Sequence, residues 1–186
     1  MAASPARAAA GGDPVARALP RILGRAARRA GSDAGWDART PALSTTHDSA
    51  EVLVIRRVLP VPRERVFAAW LDPVSLARWM GTGEGADITA LDPKVGGKFR
   101  IVMRHRGSSV EHWGEYLAIE RPSLLSFTWL SANTDHRPTV VTVELEDRGD
   151  STELILTHRQ LPPSQLDGHR RGWTQIVAAL ERTLTS

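Results

Sequence analysis

SQLDGHRRGWTQIVAALERTL, residues 164–184, decides how the rest of the chain must be arranged. Trp173, Ile176, Val177, Leu180 and Leu184 recur at offsets of 0, 3, 4, 7 and 11, which is one face of an α-helix. Arg170, Arg171, Gln175, Glu181 and Arg182 occupy the other face. A lone helix cannot hide such a stripe, so its cover must come from the segments before it. Burying each large apolar side chain is worth at most about 1.5–3 kcal/mol, which makes this helix central to stability. The pattern predicts a long C-terminal helix lying across a curved antiparallel sheet, with space left between them.

Working outward, Pro162-Pro163 break the chain ahead of the helix, and Ser164 with Asp167 are expected to cap it. Further upstream the apolar period changes from 3.6 to 2. Residues 152–158 put Leu154, Leu156 and His158 on one face, and residues 139–146 do the same with Val141, Val143 and Leu145. Residues 124–130, 110–120, 98–105 and 86–91 read as further strands, with Phe99, Ile101 and Met103 sharing a face. Turn chemistry separates them: Arg148-Gly149-Asp150, a polar loop over 131–138, Arg121-Pro122-Ser123, residues 106–109, and residues 92–97. Before the meander stand a strand from residue 51 or 52 to 59 and two short helices. The first starts at Pro62 and buries Val66, Phe67, Ala69 and Trp70. The second has Asp72 as N-cap and Pro73 at its first position, and is expected to bury Val74, Leu76, Trp79 and Met80 before stopping at Gly81. Strands joined by short turns should be neighbours, and a twisted sheet of this kind curls. The fold class is therefore α+β: a curved antiparallel sheet gripping one long helix.

Composition narrows the classes of function. The 186 residues include no cysteine, so disulfides, thiolate chemistry and Cys-based zinc sites are excluded. The formal charge of +3 resides in residues 1–50, which hold seven Arg and four Asp; the remaining seventeen basic and seventeen acidic residues cancel. A neutral folded part argues against nucleic acid as a partner. No apolar run is long enough to span a membrane, and a cytoplasmic location is expected. Residues 1–50, rich in Ala, Arg and Gly, read as a disordered extension to a domain at 51–186. A basic amphipathic helix through Val15, Leu19, Ile22 and Ala26 is the alternative, weakened by Pro20 and several glycines.

Five segments together resemble a known superfamily: VFAAWLDPVSLARWMG (66–81), GGKFR (96–100), GEYLAIERPSLLSFTW (114–129), TELILTH (152–158) and HRRGW (169–173). In this order they are similar to START-like, or SRPBCC, domains, and most similar to the branch named after the activator of the heat-shock-protein-90 ATPase. The resemblance implies a helix-grip fold with an apolar tunnel between sheet and C-terminal helix. Co-chaperones of that name carry a further N-terminal chaperone-binding domain, for which residues 1–50 are too short and too poor in core residues. Other members of the superfamily bind lipids or act as polyketide cyclases.

The residues expected to line the tunnel are Trp79, Phe99, Ile101, Met103, Tyr116, Phe127, Trp129, His158, Trp173 and Val177. His158 follows Leu154 and Leu156 at the strand period and could hydrogen-bond a ligand at the tunnel mouth. Tyr116 is either packing or an acid in a cyclase-like pocket, with Glu115 as a candidate base. His105, His112, His158 and His169 show no helical ligand spacing and no carboxylate clearly placed as a third ligand, so surface or hydrogen-bonded roles are expected and no metal or cofactor. Ser108-Ser109 is turn material, with no nucleophile elbow nearby. Gly96-Gly97-Lys98 lacks the spacing of a phosphate-binding loop. Lys98, Arg100 and Arg104 share one strand face, either solvated or open to an anionic or chaperone partner. The expected function is non-enzymatic binding of an apolar small molecule, with a chaperone-interacting module and a cyclase-like enzyme as alternatives.

Overall fold

The computed structural model describes residues 52–105 and 107–186; the extension expected over 1–50 lies outside them. Seven strands form one sheet: β1 (Leu53–Leu59), β2 (Ala86–Leu91), β3 (Lys98–His105), β4 (Ser108–Glu120), β5 (Leu124–Ser131), β6 (Thr139–Asp147) and β7 (Thr152–Arg159). Their order is β1-β7-β6-β5-β4-β3-β2, and every neighbouring pair is antiparallel. The meander follows chain order from β2 to β7, and β1 then pairs with β7 at the far edge.

Curvature has local causes. The register slips between Ile88 and Ala90 on β2 and between Tyr116 and Ala118 on β4, and such bulges bend a strand and tighten its twist. At Gly114 a Cβ would come within 2.1 Å of both the Phe99 ring and the Thr128 carbonyl oxygen. Only glycine lets the Phe99 ring lie over β4 at that point.

Three helices follow the sequence pattern: α1 (Arg63–Ala69), α2 (Pro73–Trp79) and α3 (Leu166–Thr185). The Asp72 side chain accepts a hydrogen bond of 2.7 Å from the Ser75 amide, with Pro73 opening the helix, as expected. Val74 does not join the buried side of α2; it is 63% exposed. The start of α3 also differs from expectation. A 3₁₀ turn, Pro163–Gln165, leads directly into the helix, and neither Ser164 nor Gln165 caps it with a side chain. The Gln165 amide bonds the Pro162 carbonyl instead, so the turn satisfies donors that a cap would otherwise serve.

The core lies between the concave sheet face and the three helices. Trp173, Ile176, Val177 and Leu180 are buried and Leu184 is half-buried against them. α3 packs against α2 and β1. Arg57 on β1 reaches Glu181 at 2.5 Å, and Arg65 on α1 donates to the Leu184 carbonyl at 3.2 Å. Among the described residues, no helix is long and apolar enough to cross a membrane.

Candidate ligand site

One row of side chains on each strand faces inward, and the rows differ in bulk. Beneath α2 the row is closed by aromatic rings. Phe99 lies 5.5 Å from Tyr116 and 5.6 Å from Phe127, while Trp70 meets Trp79 edge to face at 4.8 Å. The void among Phe99, Ile101, Tyr116, Phe127 and their neighbours is about 10 Å³, room for no more than a water. These four residues are core at this place in the fold.

Toward the N-terminal half of α3 the sheet and helix separate. A cavity of about 400 Å³ lies between them, with Met103, Val110, Trp129, Trp173 and Ile176 supplying its apolar surface. Polar groups approach from Gln165, His169 and Arg171 on the helix side and from His105, Ser108 and His112 on the β3–β4 hairpin. Of the ten residues expected to line a tunnel, Met103, Trp129 and Trp173 border this cavity. Trp79, Val177 and His158 are completely buried and border neither space.

His158 has a different task from the one expected. Trp173 Nε1 donates to its Nδ1 at 3.0 Å, and an indole N–H can only donate. The imidazole proton must then sit on Nε2, which lies 2.7 Å from Thr139 Oγ1. That hydroxyl passes its own proton to the Trp129 carbonyl at 2.6 Å. The chain Trp173–His158–Thr139–Trp129 thus joins α3, β7, β6 and β5, and it fixes both tryptophans of the cavity. With both ring nitrogens engaged, His158 has no atom free for a ligand. Burial, with a smaller contribution from nearby His169, pushes its pKa down to about 3, which keeps the ring in the neutral state that the network needs.

His112 is the opposite case. It stacks on Trp129 with ring centroids 4.5 Å apart, is 6% exposed, and its Nδ1 has no hydrogen-bond partner. Burial lowers its pKa to about 4, with nearby His169 adding to the shift and the backbone of Val110 opposing it. His169 is lowered as well, chiefly by burial, while its Nδ1 bonds the Gln165 carbonyl at 2.9 Å. His105 is exposed and bonds Thr82 at 2.9 Å. Among the described residues, no group of three or more His, Asp or Glu side chains is arranged to hold a metal ion.

His112 departs from the surface or hydrogen-bonded role expected of it, although its inward position was legible. Tyr116 points inward, and the strand period carries that face back through Gly114 to His112, opposite Ile101. The other candidate chemistry stands away from the cavity. Burial pushes the Tyr116 hydroxyl up within the packed aromatic cluster. Arg100 is paired with Glu111 and Arg104 with Asp87 on the outer sheet face, so the basic stripe there is largely neutralised.

Comparison with known proteins then places the chain. The family model described as "Activator of Hsp90 ATPase homolog 1-like protein" matches residues 60–185. The chain belongs to this family. No curated protein matches it. Among solved structures, protein CV1439 from Chromobacterium violaceum is 22% identical, with a TM-score of 0.67 over 73% of this chain and 97% of that one. A protein from Arthrobacter aurescens is 25% identical, with a TM-score of 0.66 over 74% and 87%. The family's helix-grip fold also recurs in PFC0360w, described as an HSP90 activator from Plasmodium falciparum, at 28% identity and a TM-score of 0.59 over 72% and 96%.

Proposed function

We propose that this domain binds an apolar or amphipathic small molecule in the cavity between the sheet and the N-terminal half of α3, without transforming it. The supporting observation is the cavity itself: about 400 Å³ with an apolar wall of Trp129, Trp173, Met103 and Ile176. Small-molecule sites commonly fall at roughly 300–1,000 Å³ with mostly apolar linings and a few polar groups. A thermal-shift screen with fatty acids and aromatic polyketides, followed by native mass spectrometry, tests it. At least one compound should raise the melting temperature and survive as a one-to-one complex, and Met103→Trp, which fills the cavity from β3, should abolish both effects. A screen in which nothing binds, or binding that Met103→Trp leaves intact, removes the proposal.

Family membership favours a second reading, in which the domain contacts a chaperone. Here a pull-down with the cognate chaperone and an assay of its ATPase decide. Charge reversal at Arg100 and Arg104 should weaken any complex made through the outer sheet face. Either role would be served in the cytoplasm, the location expected from the sequence.

A further inference from the structure

The helix wall of the cavity carries a positive charge that the protein leaves uncompensated. Among the described residues that line the space, none is a carboxylate, and Arg171 alone is permanently charged. Arg57, Arg100, Arg104 and Arg148 are each held by a carboxylate elsewhere in the fold. The Arg171 guanidinium has no partner among the described residues. Asp167, one turn back on α3, stands at the spacing of a helical ion pair, yet the two do not pair and Asp167 does not border the cavity.

Glycine gives Arg171 its room. A helical side chain leans toward the N-terminus, over the residues three and four positions before it, which for Arg171 are Gly168 and Asp167. Gly168 and Gly172 both line the cavity, and a Cβ built at either would meet nothing within 4 Å. The wall beside Arg171 is therefore bare, while Arg171 itself stays exposed and marks the rim. Deeper in, the surface is apolar: the rings of Trp129 and Trp173 have centroids 5.3 Å apart, with Met103 and Ile176 beside them.

Resting on the ligand-binding reading above, we infer that the site takes an apolar molecule that ends in a carboxylate. The apolar body lies against Trp129 and Trp173, and the carboxylate sits at the rim against the guanidinium of Arg171, whose fork of donors matches it. At the rim the acid stays partly in water and keeps its charge without the cost of full burial. A cationic ligand would meet Arg171 with no carboxylate to offset it. A neutral ligand would leave the guanidinium as unpaired as it is in the free protein.

The test uses the full chain with 2-naphthoate and its neutral isostere 2-naphthamide as probes, each titrated by calorimetry. The wild type should prefer the naphthoate by about fivefold at low salt, the scale of one partly exposed ion pair. Raising the salt to about 0.5 M should shrink that preference. Arg171→Gln should bring the ratio to about one and leave 2-naphthamide binding unchanged, whereas Arg171→Lys keeps the charge and should keep most of the ratio. Arg170→Gln removes the neighbouring exposed charge, which does not line the cavity, and should change nothing. If the wild type binds both probes equally, or binds only the amide, the carboxylate assignment is overturned while the ligand-binding reading survives. A ratio unchanged in Arg171→Gln, or lowered as much in Arg170→Gln, overturns the role of Arg171 in the same way. Failure of the wild type to bind either probe overturns this inference, and a screen empty of every other compound removes the underlying reading too.

Discussion

The two halves of α3 carry one amphipathic pattern to different ends. From Val177 to Leu184 the stripe is covered by protein: Val177 and Leu180 have no exposure at all, and α3 packs with α2 and β1. From Leu166 to Gln175 the helix faces the cavity, and the residues that would fill it are the glycines at 168 and 172. Trp173 stands at the boundary, one edge in the core and one at the cavity. An apolar stripe therefore reports that a face is removed from water; it does not report whether protein or a void removes it.

Perturbations of this boundary should be largest at Trp173. Trp173→Ala deletes a large buried ring and leaves His158 Nδ1 without its donor, so a loss of about 4–5 kcal/mol is expected in urea unfolding. A loss below about 2 kcal/mol would show that the two halves are not joined there.

Acid should act next, because the cavity end holds the buried histidines. His158 near 3 and His112 near 4 both titrate around 6.5 once unfolded, and His169 is shifted the same way. Their folded pKa values are depressed, so their contribution is whole above about pH 6.5 and is lost as pH falls toward 4 and 3. At pH 5 His158 and His112 should each cost about 2 kcal/mol. Chemical denaturation at pH 7 and pH 5 measures this, and His112→Phe should remove about half of the difference. A flat profile between those values would contradict the buried, neutral assignment.

Leu180→Ala probes the packed half alone. A loss of about 3 kcal/mol is expected, with affinity for any cavity ligand unchanged in the folded protein. The smallest effect has the opposite sign. Gly172→Ala meets no atom within 4 Å, so it should stabilise the protein by about 0.8 kcal/mol while narrowing the cavity. A destabilising Gly172→Ala would mean that the backbone there needs glycine for its own geometry.

Much of the fold could be read from periodicity because burial imposes it locally. Alternation marked β3, β6 and β7, the Asp72-Pro73 pair marked α2, and the stripe at 173–184 marked α3. Two local readings did not survive. Val74 fits the apolar pattern of α2 but faces water, since a seven-residue helix needs only Leu76 and Trp79 to seat it. Ser164 has cap chemistry, but the 3₁₀ turn after Pro162 had already satisfied the donors. The site was less legible. Phe99, Ile101, Tyr116 and Phe127 lie on the inward face like Met103 and Trp129, yet they surround a void of about 10 Å³. Nothing in the order of apolar residues distinguishes a ring that meets another ring from one that meets open space.

The sequence by itself determined the elements, their antiparallel order and which faces turn inward, because those follow from side-chain period, turn chemistry and the need to bury apolar surface. Only the tertiary structure decided where the interior stays open and which histidine keeps a bare nitrogen. Those outcomes depend on distances between side chains far apart in the chain, such as Phe99 over Gly114 and Trp173 against His158, and no local pattern encodes such distances.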